Sequence, residues 1–417
     1  MQTCTRCLYT SQHPLFLTFD SQGVCSGCRV HEEKDQLDWS GRAAKLGQIL
    51  EGYRNRSGNN YDCVIPVSGA RDSYFIVHTI RKRFGLNPLL VTYNKHFNTA
   101  TGVRNLANLR TRMNCDIMTL TVNPVTVKKI TRHTMRRMGS MYWHCIAGQT
   151  VYPVQVAVKF KIPLIVWGAH QGVDQVGMYS HLDEVEMTRK YRKEHDLMGC
   201  EAEDIVDDFD GISEQDVAPF FYPDNREIER VGVRGIYLNN YLRWDSRSQH
   251  EQMIREYGYE TLQQTRTFDT YHDVDCWNYS DVHDYIKNLK FGFGKVTDHA
   301  CREIRLRRMT RSEGAALVQK FGTLEPRNLV LFLDWMGITR NAFQYIVDQH
   351  RSPAVWRRNE SWDWEMTPEA ASALRNVPLP GQELPVEARH SDYWQTTPGK
   401  STDADDHYIL IGKGANA

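Results

Sequence analysis

The chain has 417 residues, with 51 lysines and arginines balanced by 51 aspartates and glutamates. That length predicts two or three domains with a substantial core, and the charge balance argues against a dedicated nucleic-acid binder, which usually carries a basic excess. The opening MQTCTRCLYT lacks the apolar stretch of a signal peptide, and no run approaches the roughly 18 apolar residues of a membrane span, so a soluble cytoplasmic protein is expected, its ten cysteines serving as metal ligands or buried thiols rather than disulfides.

The first element is a pair of C-x-x-C sequences. Cys4-Thr-Arg-Cys7 and Cys25-Ser-Gly-Cys28 are separated by seventeen residues, the spacing of a zinc ribbon in which each knuckle supplies two thiolates to a tetrahedral ion. Gly23 and Gly27 suit the required turns, and Leu15, Leu17 and Phe19 alternate as in a short hairpin. A segment this short has little core, so zinc binding, worth on the order of 10–16 kcal/mol in comparable peptides, would supply its folding energy. Four thiolates close the coordination sphere, which makes the role structural. Of the remaining cysteines, Cys63 and Cys115 read as buried strand residues. Cys145, beside His144, reads as a packed thiol.

Residues 30–60 follow a helical pattern with Leu37, Leu46, Ile49 and Leu50 apolar. Tyr61 to Val67 then reads as a buried strand. A turn of small residues, SGARDS, leads into a helix from Ser73 to Phe84. PLLVTYN predicts a second strand, Gly102 to Met113 a helix, and CDIMTLTVN a third strand. Residues 125–138 predict a helix, Ile146 to Phe160 a second one interrupted near Pro153, and IPLIVWG a strand ending at Gly168. Such alternation indicates an α/β domain with a mostly parallel sheet and helices on both faces. Ligands in such sheets bind beyond the carboxyl ends of the strands, here Val67–Ser73, Tyr93–Phe97 and Gly168–Asp174. The acidic residues 201–211 predict a mobile or partner-facing connection. Residues 226–345 read as largely helical, and beyond about 350 the polar, proline-containing composition predicts a loosely attached tail. The predicted units are a zinc ribbon at 1–35, an α/β domain at 36–210, a mainly helical substrate or partner region at 211–345 and a polar extension at 346–417.

The turn PVSGARDS resembles the Ser-Gly-Gly-x-Asp-Ser signature of the PP-loop ATP pyrophosphatases. The closer resemblance is to the N-acetyl sugar amidotransferases of the WbpG type, which act in surface-polysaccharide (lipopolysaccharide O-antigen) biosynthesis. It rests on CTRC with GVCSGC, on the PP-loop, and on LKFGFGKVTDHACREIRLRRMTR at 289–311, and it extends over residues 1 to about 345. The resemblance implies an adenine-nucleotide-binding parallel sheet that takes ATP with Mg²⁺. The chemistry it implies is conversion of an N-acetyl group on a UDP-linked sugar into an acetamidino group through an adenylylated intermediate. It further implies ammonia from a partner glutaminase delivered through a barrel-type conduit protein. Ser68, Gly69, Ala70, Arg71, Asp72 and Ser73 would hold the nucleotide with Tyr93 and Gly168, and Ser68 and Asp72 would be catalytic, Asp72 holding Mg²⁺ or fixing the loop. Lys290, Lys295, Arg302 and Arg305 would face the nucleotide or an acidic sugar, the alternative being a solvated basic helix face.

Two positions depart from the family pattern. Ala70 stands where a second glycine is usual, and a left-handed backbone there would cost alanine roughly 1–2 kcal/mol. Arg71 occupies a position where lysine is common, and its planar fork is not a lysine equivalent. Two other functions share these features: a tRNA thiolation or modification enzyme, and a catalytically degenerate nucleotide-binding partner subunit.

Overall fold

Five short strands align side by side as one parallel sheet in a computed structural model. The structure describes residues 1–375, apart from Arg71, Asp208 and Phe209, together with the strand Ile409–Leu410. The rest of the predicted C-terminal extension lies outside the described residues. The strands are β1 (Cys63–Pro66), β2 (Pro88–Tyr93), β4 (Ile117–Leu120), β5 (Leu164–Trp167) and β6 (Arg234–Tyr237), in the order β4-β2-β1-β5-β6. Val64 pairs with Leu89 on one side and Ile165 on the other.

Side chains alternate faces along each strand, and the core divides accordingly. Ile65, Leu90, Val166 and Ile236 pack with residues of α2 (Trp39–Tyr53), α3 (Ser73–His78) and α4 (Ala100–Met113). Val64, Leu89, Val91 and Ile165 pack instead with Val154 and Ala157 of α6 (Trp143–Phe160). Helices therefore cover both faces, which is why these strands read as continuous apolar runs.

Two elements differ from the sequence reading. Helix α6 runs unbroken through Pro153, since burial of Val151, Val154 and Ala157 outweighs the one backbone bond that proline removes. The edge strand β6 falls in a stretch expected to be helical. Its Gly235 lies under Met187, whose Cβ would sit 2.6 Å from an added Cβ and whose N–H donates to the Gly235 carbonyl at 2.9 Å. A strand containing Arg234 and Gly235 has little of the β-branched pattern that marks β1 or β5.

The acidic stretch is also folded where it is described: Glu201 is buried against Arg192, and Ala202 and Ile205 join a core cluster with Trp143 and Phe220. In the amino-terminal unit the expected hairpin reduces to the isolated bridges Thr3–Thr10 and Phe19–Cys25, and α1 (Ser26–Glu33) starts inside the second knuckle. Beyond residue 350, Trp356–Arg358 and Trp364–Met366 form an antiparallel pair. Ile409–Leu410 pairs antiparallel with the short strand β3 (Phe97–Asn98). No helix among the described residues is long and apolar enough to cross a membrane.

Gly148 of α6 faces the ring of Tyr93, which lies 2.3 Å from where a Cβ would be. Gly148→Ala trades a helix-propensity gain of about 1 kcal/mol for overpacking of about 1–3 kcal/mol. A lower urea midpoint is expected, and an unchanged or raised midpoint would contradict this contact.

Candidate functional site

The strand order reverses direction between β1 and β5, and in open parallel sheets that reversal opens a crevice at the carboxyl ends of the strands. The Ser68–Ser73 turn leaves β1 at that point. Gly69 has φ 80°, a backbone that alanine avoids, and a Cβ on it would lie 2.9 Å from Leu106 of α4. Ala70 is fully buried and is not among the left-handed residues, so the methyl group costs no backbone strain. Arg71 lies outside the described residues.

The turn is braced from within. Ser73 Oγ accepts the N–H of Ser68 at 3.0 Å, and Ser68 Oγ accepts the N–H of Ala70 at 3.2 Å. The Ser68 hydroxyl also donates weakly to the Ala70 carbonyl at 3.5 Å, a bond that a better acceptor could replace. Asp72 stands at the N-cap of α3. Gly168, at the end of β5, packs against the turn: a Cβ there would meet Ile76, Trp244 and Asp72 within 3.4 Å. Tyr93 leans to the opposite face, its ring against Gly148 and its hydroxyl 3.0 Å from His144 Nδ1.

The four basic residues named from the sequence are all engaged by the fold. Lys290 donates to the carbonyl of Met138 at 2.6 Å at the end of α5 (Pro124–Met138), and burial lowers its pKa to about 8. The other three lie on the helix Lys295–Arg305. Lys295 is buried against Asp281 and donates to Gln264 at 2.9 Å. Arg302 donates to Asp269 and to the hydroxyl of Tyr271, at 2.9 and 2.8 Å. Arg305 lies next to the cysteines.

Around that helix runs a chain of alternating charges. Asp245 takes both Nη groups of Arg308 at 2.9 Å. Glu303 accepts from Arg308 at 2.8 Å and from Arg302 at 2.7 Å, and Arg302 reaches Asp269, whose carboxylate lies 2.8 Å from His272 Nδ1. Asp269, His272 and His299 bring three donor atoms within 4.8 Å of one another. Because the guanidinium of Arg302 already neutralises Asp269 and lies 3.2 Å from His272 Nδ1, the trio reads as the end of an ionic network rather than as a metal site. Sequence reading passed over this network, although TFDTYHDVD at 267–275 crowds three aspartates and a histidine into nine residues.

The four cysteines named from the sequence do converge. Cys4, Cys7, Cys25 and Cys28 are buried, with sulfurs within 4.8 Å of one another; Cys4 and Cys28 are 3.9 Å apart, Cys7 and Cys25 3.6 Å. Tetrahedral Zn–S bonds of about 2.3 Å place sulfurs about 3.8 Å apart, so the donor set fits Zn²⁺. Backbone N–H groups of Arg6, Cys7 and Cys25 approach Cys4 Sγ at 3.3–3.4 Å. Arg305 is buried beside them, its Nη2 3.7 Å from Cys25 Sγ and 3.9 Å from Cys7 Sγ, while Nη1 donates to the Gln175 carbonyl at 2.5 Å. A Cβ on Gly27 would lie 2.3 Å from that guanidinium and 2.6 Å from the Gln175 carbonyl oxygen, so the close approach, and not a left-handed backbone, calls for glycine in this helical position.

Two predictions test these arrangements. Purified protein should carry one zinc per chain, and Cys25→Ser with Cys28→Ser should lose it; full zinc content in that variant would refute the assignment. Burial alone would raise the Asp245 pKa, but Arg308 and Ser248 hold it at about 2, below the ordinary 3.8. A carboxylate with a depressed pKa contributes stability above its unfolded value and loses it as pH falls through the folded value. Stability should therefore drop between about pH 4 and pH 2, and Asp245→Asn should flatten that part of the profile.

Residues 251–370, which carry the charge network apart from Asp245 and include the helix Lys295–Arg305, match the family described as LPS biosynthesis protein WbpG-like, C-terminal domain. The chain is also 23% identical over 117 residues to an uncharacterized protein of Methanocaldococcus jannaschii, a similarity spanning 28% of this chain and 42% of the relative.

Proposed function

We propose that this chain is the ATP-dependent, AMP-forming synthetase subunit of a sugar amidotransferase in lipopolysaccharide biosynthesis. It converts an N-acetyl group of a UDP-linked sugar into an acetamidino group, with ammonia from a partner glutaminase through a conduit protein. The observation that carries the reading is the turn at the β1/β5 reversal. A left-handed Gly69, two serine hydroxyls and a helix N-cap at Asp72 stand together at the carboxyl edge of a parallel sheet, where backbone N–H groups favour phosphate. The match of residues 251–370 to a WbpG-like domain supports the sugar substrate.

An amide carbonyl is a poor electrophile, and adenylylation of its oxygen turns that oxygen into a leaving group. Ser68 and Ser73 would donate to the phosphates and Asp72 would hold Mg²⁺, so catalysis rests on positioning and on stabilising phosphate charge. The zinc ribbon is structural. A tRNA-thiolating enzyme would need accessible catalytic cysteines, and of the six outside the ribbon five are buried and Cys115 is half-buried.

The test is pyrophosphate release on mixing the protein with Mg-ATP, UDP-linked diacetamido sugars and ammonium chloride. Release dependent on all three is expected, and Asp72→Ala and Ser68→Ala should each lower it at least about 100-fold without changing the unfolding midpoint by more than about 1 kcal/mol equivalent. Undiminished turnover in either variant would remove the phosphate-loop assignment.

A further inference from the structure

The segment that follows β2 lies against residues 273–276, and a buried ion pair joins them. Lys95 Nζ donates to Asp275 Oδ2 at 2.8 Å and lies 3.2 Å from Cys276 Sγ. Thr99 fixes the same contact, its N–H donating to the Asp275 carbonyl at 2.9 Å and its hydroxyl to that of Val274. Burial alone would lower the Lys95 pKa, but Asp275 and Cys276 hold it well above the usual lysine value. The second oxygen of Asp275, Oδ1, is buried with no hydrogen-bond partner among the described residues, a costly state unless a donor arrives. His96 (φ 69°) and Asp273 (φ 52°) flank the pair in left-handed backbone, which side chains other than glycine adopt seldom, aspartate and histidine more often than most.

Helix α4 places this pair beside the phosphate loop. A Cβ on Gly102 would lie 2.3 Å from Asp275 Cα, and Leu106 lies 2.9 Å from the corresponding atom of Gly69. Gly102 and Leu106 are four residues apart, on one helix face about 6 Å from each other along the axis. Cys276 is not a nucleophile here: burial, with Asp275 adding to it, pushes its thiol up to about 12.

We propose that Asp275 Oδ1 receives the N–H of the attacking ammonia and takes its proton, with Lys95 as the positioning residue that holds the carboxylate in place. The proposal rests on the amidine-forming reading. Ammonia forms a C–N bond to the imidate carbon of the adenylylated acetamido group, and electron density moves to the sugar nitrogen. Asp275 removes one proton from the new nitrogen and returns it to the sugar nitrogen. The C–O bond then breaks with its electron pair leaving on AMP, which gives the amidinium and AMP with no net proton change.

The two half-reactions separate under test. Sugar-dependent exchange of labelled pyrophosphate into ATP reads adenylylation, and amidine formation with ammonium chloride reads the second step. Asp275→Asn should retain exchange while amidine formation falls at least about 100-fold, and hydroxylamine, whose attacking nitrogen sheds its proton more readily, should restore turnover, read as the N-hydroxyamidine. If the single variant does not fold, Lys95→Met with Asp275→Asn removes both buried charges and should show the same split. Unchanged amidine formation, or equal loss of both steps in a folded variant, would overturn the role of Asp275 alone. Absence of exchange in the native protein would overturn the amidine-forming reading and this proposal with it.

Discussion

The buried guanidinium of Arg305 next to the four cysteines is the contact on which the surrounding arrangement depends. Four thiolates holding one Zn²⁺ would carry a net charge of −2, and a buried net charge is costly unless paired. Arg305 is 6% exposed and supplies a cation within 3.9 Å of two of the sulfurs. It stands at the end of the helix Lys295–Arg305, so the ribbon is tied to the region that carries the ionic network rather than hanging from the amino terminus as an independent bead. Tyr9 strengthens the tie, its hydroxyl donating to Asp298 of the same helix at 2.7 Å.

That tie explains why so many charges can be buried on one helix. Lys295, Glu303 and Arg305 are each under 9% exposed, and each is paired: Lys295 with Asp281, Glu303 with Arg302 and Arg308, Arg305 with the cysteines. Removing one partner would leave an uncompensated charge in a low-dielectric setting, which costs several times what a surface pair is worth. The network therefore fixes the helix orientation tightly, and on the sheet side the same region presents Tyr271, Val274 and Trp277 to the core that also holds Ala70 and Tyr74.

Local patterns made much of this architecture legible. Strands β1, β2 and β5 are apolar runs bounded by turn residues, and two C-x-x-C pairs at ribbon spacing named all four converging cysteines. Strand β6 was illegible because Arg234 and Gly235 answer to Met187, a contact formed only in the folded chain. The partners of Lys290, Lys295, Arg302 and Arg305 were illegible for a related reason. Their acceptors lie up to 298 residues away, as for Arg305 and Cys7, and no helical periodicity encodes a long-range ion pair. A basic stripe such as REIRLRR reads the same whether it faces water or a cluster of thiolates.

Ala70 shows how a departure from a motif is decided by backbone rather than by residue lists. Two consecutive small residues in a strand-to-helix turn need not share one requirement. Here Gly69 meets both constraints, a left-handed φ of 80° and the close passage of Leu106, while Ala70 lies outside the left-handed region and is packed into the core. A glycine at 70 would remove a buried methyl group and widen the unfolded ensemble without relieving any strain, a loss on both sides of the folding equilibrium. The alanine is accommodated because the conformational demand falls one residue earlier.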